Sequence, residues 1–472
     1  MPRLILLLFF SLFGTHVKAK TIYLNFNWVD PIEKIIHTEM MLIEEMGKIT
    51  YLGAIKPYDQ SEKMIDLKNK YVIAGFIDSH THVTLGAIEM VQHEEQFKMV
   101  ANNSDEISQH NGKILLAHGI TDIRNPGGAA AESVKYKNQV KAGNWIGPDA
   151  YVAGELLDVN AFEGLVQAVH RIEDIDGLIS AQKALGVDFV KLYTSLDESL
   201  LEVAIKSTHE HGLKAVAHLE EVPWDKAALM GIDGIVHAMP VSPDLLVGKS
   251  KKEYLEKGRR GAFSFFEWYE AIDFETPRFE QFVQTLKEHG TSIDPTLIVF
   301  HNAFWGDQPG VTQHPKLSLT HPELVKNWQT FFTFNIGWTP TDFKRAKAVW
   351  PKVQQFIQKL NKAGVHMTVG TDMNNPWVIP GVSFHQEMQL LVDAGISNYE
   401  VLKMATWNGA QAIDQTKMKG SLQEGKNASF VILENNPVKD ISNTEHIYAV
   451  VKLGQMYHPN ELLKSVKKSK GE

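Results

Sequence analysis

Both ends of the chain are built from short alternating or continuous apolar runs. TIYLNF from Thr21, EMMLIEE from Glu39 and KITYLGAI from Lys48 read as strands, with Gly47 turning the chain between the last two. Near the other end, Gly420-Ser421-Leu422, ASFVIL from Ala428 and IYAVVKLGQMY from Ile447 read the same way. Two groups of strands flanking a long middle predict one small β-domain made from both termini, residues 20–72 and 412–460.

The middle, residues 73–411, repeats a different unit. A helical stretch ends in Gly and an apolar, β-branched run follows at once: LLAHGITDIRN at Gly119, KALGVDFVKLY at Gly186, HEHGLKAVAHL at Gly212, ALMGIDGIVHA at Gly231, KEHGTSIDPTL at Gly290 and NKAGVHMTVGTD at Gly364. Gly suits the left-handed cap after a helix, and β-branched runs suit buried parallel strands. The stretch from Tyr71 to Asp372, about 300 residues, has room for eight such units, which predicts an α/β fold of the (β/α)8 TIM-barrel kind. An open doubly wound sheet is the other architecture of this pattern, but the chain has no GxGxxG or GxxxxGKS loop. Two segments exceed the unit length, Pro240 to Pro277 and His301 to Pro340. The second carries Phe304, Trp305, Trp328, Phe331, Phe332, Phe334 and Trp338. Both follow strands, so their aromatic residues either cover a substrate or pack a helical excursion.

Polar residues at the ends of these apolar runs are the candidates for chemistry. In YVIAGFIDSHTHV, His80 and His82 are two apart, so a strand aims both imidazoles to one side. Lys191 lies five residues beyond Gly186, His218 six beyond Gly212, His237 six beyond Gly231 and Asp372 eight beyond Gly364. If each Gly marks a strand entrance, all of these sit near the exits, the face on which TIM-barrel active sites are built. An ionisable group there is costly unless paired or bound to metal. One such residue has an ordinary structural explanation; five strands ending this way at one depth do not.

Composition narrows the chemistry. The 472 residues include no Cys, so disulfides, thiolate zinc sites and cysteine nucleophiles are excluded, and a metal must rest on His, carboxylate or modified Lys. A formal charge of −9 without a basic stripe argues against a nucleic-acid partner. Residues 1–19, MPRLILLLFFSLFGTHVKA, have a basic start, an apolar run from Leu4 to Phe13 and small residues at Val17 and Ala19. That pattern predicts a signal peptide, cleaved before Lys20, and an exported protein, periplasmic or secreted, with no stable membrane insertion afterwards. Residues 461–472, ending KSVKKSKGE, read as a polar solvated tail.

Taken together, the motifs AGFIDSHTHV, GITDIRNPGG, GVDFVKLYTS, KAVAHLEE, GIDGIVHA, DPTL, GTDMNNPWVIPG and GSLQEGKNASFVILENNPVKDI resemble the metal-dependent amidohydrolase superfamily, and within it the imidazolonepropionase-like branch that includes Xaa-Pro and related dipeptidases. The resemblance covers nearly all of the chain beyond residue 19. It implies a (β/α)8 barrel with a small β-sandwich made from the two termini, a small-molecule substrate, and hydrolysis of a C–N bond, in a dipeptide or an N-acyl amino acid, by a metal-bridged hydroxide. By this resemblance His80, His82 and Asp372 match the ligands of one divalent metal, and His218 and His237 those of a second. Lys191 matches the lysine that carbon dioxide converts to a bridging carbamate. Zinc fits such an N and O donor set. Asp372 matches the general acid/base. Two features depart from the pattern. Ala428-Ser429 stands where Ala-Asp is common. Glu221 follows His218 by three, the spacing of the proton-shuttling Glu in mononuclear deaminases and imidazolonepropionases, which makes a one-metal enzyme the alternative to the two-metal enzyme that Lys191 implies. A barrel that has lost its metal and binds partners is a third reading, opposed by six filled ligand positions. Whether the chain forms a homo-oligomer is left open.

Overall fold

The structure, a computed structural model, describes residues 20–93, 96–258 and 260–468. The expected signal peptide, residues 1–19, lies outside the described residues. No helix among the described residues is long and apolar enough to cross a membrane.

The terminal strands join into a single eight-stranded sheet. Thr21–Asp30, Ile35–Glu45, Lys48–Ala54, Lys63–Asp66 and Tyr71–Ala74 come from the start of the chain; Phe430–Leu433, Ile447–Lys452 and Gln455–Tyr457 come from its end. The two groups meet where Phe430–Leu433 runs antiparallel to Tyr71–Ala74. The period of two along these strands explains the join. Val72, Ala74, Phe430 and Ile432 fill a core inside the small domain, whereas Ile73, Val431 and Leu433 enter the core of the barrel. The sheet rolls over that inner core, because the Ala428 N–H donates to Gly47 O while its carbonyl accepts from Gly454 N. The expected sandwich is therefore one sheet folded onto itself.

The middle forms the barrel. Its strands are β1 (Phe76–Asp78), β2 (Ile120–Asn125), β3 (Asp149–Val152), β4 (Phe189–Leu192), β5 (Lys214–Ala217), β6 (Gly234–Val236) and β7 (Ser292–Asp294). Parallel pairing links β1 to β2, β2 to β3, and β4 through β7 in order. Asp188 N donates to Val152 O at 2.7 Å, joining β3 to β4. Residues 366–369 close the ring: Ile293 N donates to His366 O at 2.8 Å, and Ser79 N to Val369 O at 2.9 Å. The six glycines read as strand entrances all have positive φ, from 66° at Gly290 to 103° at Gly186.

Three excursions rise from the strand exits. A hairpin, Leu85–His93 with Gln96–Asn103, follows β1. Helices Gly248–Lys257 and Phe263–Ala271 follow β6, and helices Leu297–Phe304 and Pro322–Thr330 follow β7. The aromatic residues of the last excursion divide between packing and the cavity wall. Phe304, Trp328 and Trp338 are buried in packing, while Phe332 and Phe334 line the cavity at the barrel mouth.

The chain end departs from the expected polar tail. Residues Pro459–Lys468 form a helix, with Leu462 and Val466 buried. Leu462 packs with Leu116 and Ala117 of helix Asp105–Ala117. The i, i+4 spacing of these two apolar residues makes a docking stripe that the surrounding lysines conceal.

A buried ion cluster ties the small domain to the barrel floor. Lys419 contacts Asp122 of β2 and Asp149 at the start of β3, and Lys452 reaches Asp149 at 2.7 Å. Burial works against the Asp149 charge, but Lys419 and Lys452 outweigh it and hold its carboxyl down at about 2. Lys419→Met is expected to cost about 3–5 kcal/mol, because it strands buried Asp122 without its cation. Urea unfolding measures this; a stability equal to that of the parent chain would show the cluster to be dispensable.

Candidate metal centre

The site is assembled where the first and last barrel segments meet. Beyond β1 the chain runs Ser79-His80-Thr81-His82, and His80 and His82 are both buried. The Nε2 atoms of both lie 3.2 Å from Asp372 Oδ1. Asp372 is held there by its own backbone, whose N–H donates to His80 O at 2.7 Å. Its φ of 56° turns the chain out of the closing segment. Asp78 braces the same corner. Its carboxylate accepts from Thr371 Oγ1 at 2.8 Å, from Thr371 N at 3.1 Å and from His80 N at 3.1 Å.

β5 and β6 supply the other two imidazoles. The rings of His218 and His237 lie 4.5 Å apart, and the ring of His237 lies 4.9 Å from that of His80. His237 Nδ1 is 2.8 Å from Thr296 Oγ1 and 3.8 Å from Asp372 Oδ2. Lys191, on β4, is almost wholly buried, and its Nζ has no hydrogen-bond partner among the described residues. All six predicted residues line one cavity of about 190 Å³.

The protonation states suit cation binding. Burial, reinforced by Lys191, pushes His218 down to about 3, and burial with His218 beside it holds His237 well below its usual value. Both rings are thus neutral, with a lone pair to offer. Burial opposes the Asp372 charge, but His80, His82 and His237 outweigh it and hold the carboxyl well below its usual range. For His80 burial opposes the proton, yet Asp372 and Asp294 raise its affinity. Burial and the neighbouring Arg124 bring the Lys191 ammonium down to about 7, so the free amine is accessible near neutrality.

The residues fit a divalent metal. Ligand atoms of His80, His82 and Asp372 lie within 4.8 Å of one another, all buried, and the partnerless Lys191 amine sits in the same cavity. His218 and His237 stand beside this group with nitrogen donors only.

Sequence reasoning missed the layer beneath. Asp294, the last residue of β7, lies 3.2 Å from His80 Nδ1 and 3.4 Å from an Arg124 Nη. Arg124 also donates from Nε to Ser79 O at 2.7 Å. Asp294 faces His80 Nδ1 and leaves Nε2 for the cavity, the usual arrangement of a carboxylate behind a ligating imidazole. His82 is set likewise, with Nδ1 2.9 Å from Gly127 O. A signal for Asp294 was present, an acid ending the apolar run after Gly290 just as His and Lys end the others.

Glu221, the alternative proton shuttle, is exposed. Neither it nor Glu220 lines the cavity, and Glu220 Oε1 lies 3.7 Å from His218 Nε2. The backbone N–H groups of both glutamates donate to Thr194 O, which turns the loop so that Glu220 faces inward.

Comparison with known proteins agrees with this geometry. Residues 280–457 match the amidohydrolase family. The chain is 23% identical over 410 residues to an imidazolonepropionase of Christiangramia forsetii, covering 84% of this chain and 85% of that protein. Among solved structures it resembles a Xaa-Pro dipeptidase with methionine bound in its active site, at a TM-score of 0.67 and 17% identity, covering 93% of this chain and all of the other. It also resembles a bottromycin amidohydrolase, at a TM-score of 0.71 and 18% identity, covering 96% and 90%. The barrel and the rolled terminal sheet are thus the fold of these solved structures, and the match over residues 280–457 together with the similarity to an imidazolonepropionase supports placing the chain with the amidohydrolases, among relatives that act on carbon–nitrogen bonds.

Proposed function

We propose that the chain is an exported binuclear metallohydrolase that cleaves the amide bond of a dipeptide or an N-acyl amino acid. The observation that carries this reading is the buried, partnerless Lys191 amine in one cavity with His80, His82, His218, His237 and Asp372. His80, His82 and Asp372 would hold one cation, His218 and His237 another, and Lys191, as a carbamate, would offer an anionic oxygen to each. Two divalent ions, zinc by the donor set, would supply Lewis acidity to the scissile carbonyl and acidify a water.

The remaining work falls to the chain. Asp372 Oδ1 is engaged by the two imidazoles, which leaves Oδ2 to take a proton from the attacking water. The same atom then delivers the proton to the leaving nitrogen. The C–N bond breaks, a C–O bond forms, and one water is divided between acid and amine. Asp294 and Gly127 O keep the His80 and His82 rings oriented throughout. Phe300 and Phe334 line the cavity and exclude bulk water, which strengthens each polar contact inside.

A one-metal deaminase or cyclic-amide hydrolase is the second reading. It is favoured by the fact that, among the described residues, only His80, His82 and Asp372 form a three-ligand group. Glu220 rather than Glu221 would then stand nearest His218. Metal content per chain separates the two.

Three outcomes test the proposal. Asp372→Asn should keep much of the metal, since an amide oxygen still ligates, and lose about 10²–10⁴-fold in turnover. Unchanged turnover at full metal content would assign the proton transfer elsewhere. Lys191→Ala should lose at least one metal and nearly all activity, with partial recovery of both in short carboxylic acids. Lys191→Arg should fail equally, because a guanidinium stays charged. Normal metal content and turnover in Lys191→Ala would remove the bridge and leave the one-metal enzyme. Intact-mass measurement on protein from its native host should find a chain starting near Lys20; Met1 on the mature chain would reject cleavage.

A further inference from the structure

The wall of the cavity is more apolar than hydrolysis alone requires. Apart from the six metal-site residues, its lining is apolar save for Tyr193 and Asn375. Four phenylalanines form a continuous track away from the site. The Phe300 ring lies 6.0 Å from that of His237, Phe265 lies 5.2 Å from Phe300, Phe334 lies 6.5 Å from Phe265, and Phe332 lies 5.6 Å from Phe334. Phe332 packs on the cluster that holds Ile88 and Ala101 at the base of the hairpin.

The hairpin continues the track into solvent. Ile88 pairs with Ala101, Met90 with Met99 and Gln92 with Phe97, so alternation puts all six on one face. Ile88 lines the cavity, but Met90 is 53%, Met99 39% and Phe97 68% exposed. Glu89 and Lys98 point from the opposite face with Val91 and Val100, of which Val91 is 38% exposed, so the larger apolar side chains are the ones on the cavity-facing row. An exposed apolar row of this kind marks a contact surface. At about 190 Å³ the cavity also falls short of the roughly 300–1,000 Å³ typical of ligand pockets, so a larger substrate must extend past its mouth.

We propose that the substrate is an amide of a long apolar acyl group, with the acyl chain running from the metal site past Phe332 and along the Ile88, Met90, Met99 and Phe97 face of the hairpin. This rests on the C–N hydrolysis proposed above and adds the substrate class. The row starts inside the cavity and leaves it without interruption, which is why the occupant is the substrate itself.

Calorimetric binding of N-decanoyl-glycinamide and N-acetyl-glycinamide to the purified protein tests it. The decanoyl amide should bind about ten-fold tighter or more, from methylenes removed from water. In Phe97→Ser and Met90→Ser, at exposed positions with little packing to lose, that ratio should fall toward one. Equal affinity for the two amides, or a ratio untouched by both variants, would overturn the proposal. So would a Phe97→Ser variant that keeps the ratio but dissociates an oligomer in sedimentation, which would give the face to a second copy of the chain. Tight, hairpin-dependent binding of the decanoyl amide without its hydrolysis would uphold this inference and count against the hydrolase reading instead.

Discussion

The backbone seam between the first and last barrel segments is the constraint on which the site depends. Asp372 N donates to His80 O, Thr371 N to the same carbonyl, and His82 N to Met373 O. These bonds join residues almost three hundred positions apart and fix the two imidazoles against one carboxylate oxygen. Asp78 completes the seam by accepting from both sides of it. Its burial pushes its carboxyl up to about 7, so the corner tolerates either charge state near neutrality while the hydrogen bonds from Thr371 and His80 hold it in place. Closing a barrel thus does more here than remove sheet edges; it builds the corner where His80, His82 and Asp372 meet.

Burial sets the electrostatics of the centre. Six ionisable groups are enclosed in one small cavity, and each would lose hydration if it carried charge alone. Desolvation keeps His218 and His237 neutral and depresses Lys191, while Asp372 stays ionised because imidazoles surround it. Arg124 is held below by Asp294 and Ser79 O, and its charge adds to burial in disfavouring the Lys191 ammonium. Such an arrangement is poorly balanced as a set of bare side chains, which is the physical reason to read it as a candidate metal centre.

The small domain and the excursions divide the remaining tasks. The rolled sheet and the Lys419 cluster clamp the entrance side of the barrel, away from His80, His82, Lys191, His218, His237 and Asp372. The hairpin and the two helical excursions crowd the exit side and bring phenylalanines to the mouth. The buried ion cluster and the candidate site are thereby placed at opposite ends of the same strands, as in TIM barrels generally.

The periodic parts of this architecture were legible in the sequence. Glycine after each helix, β-branched runs behind it and polar residues at a common depth were enough to predict the barrel, its exits and His80, His82, Lys191, His218, His237 and Asp372, because each is a local rule with a fixed repeat. Other features depended on contacts that no local pattern encodes. Asp294 and Arg124 became part of the site only because β7 and β2 present them beneath His80. The approach of Glu220 to His218 followed from a loop turned by Thr194 O, and the docking of helix Pro459–Lys468 from an apolar patch on helix Asp105–Ala117. Alternation and capping act over a few residues and can be read along the chain, whereas which buried polar atom meets which is decided by packing between segments distant in sequence.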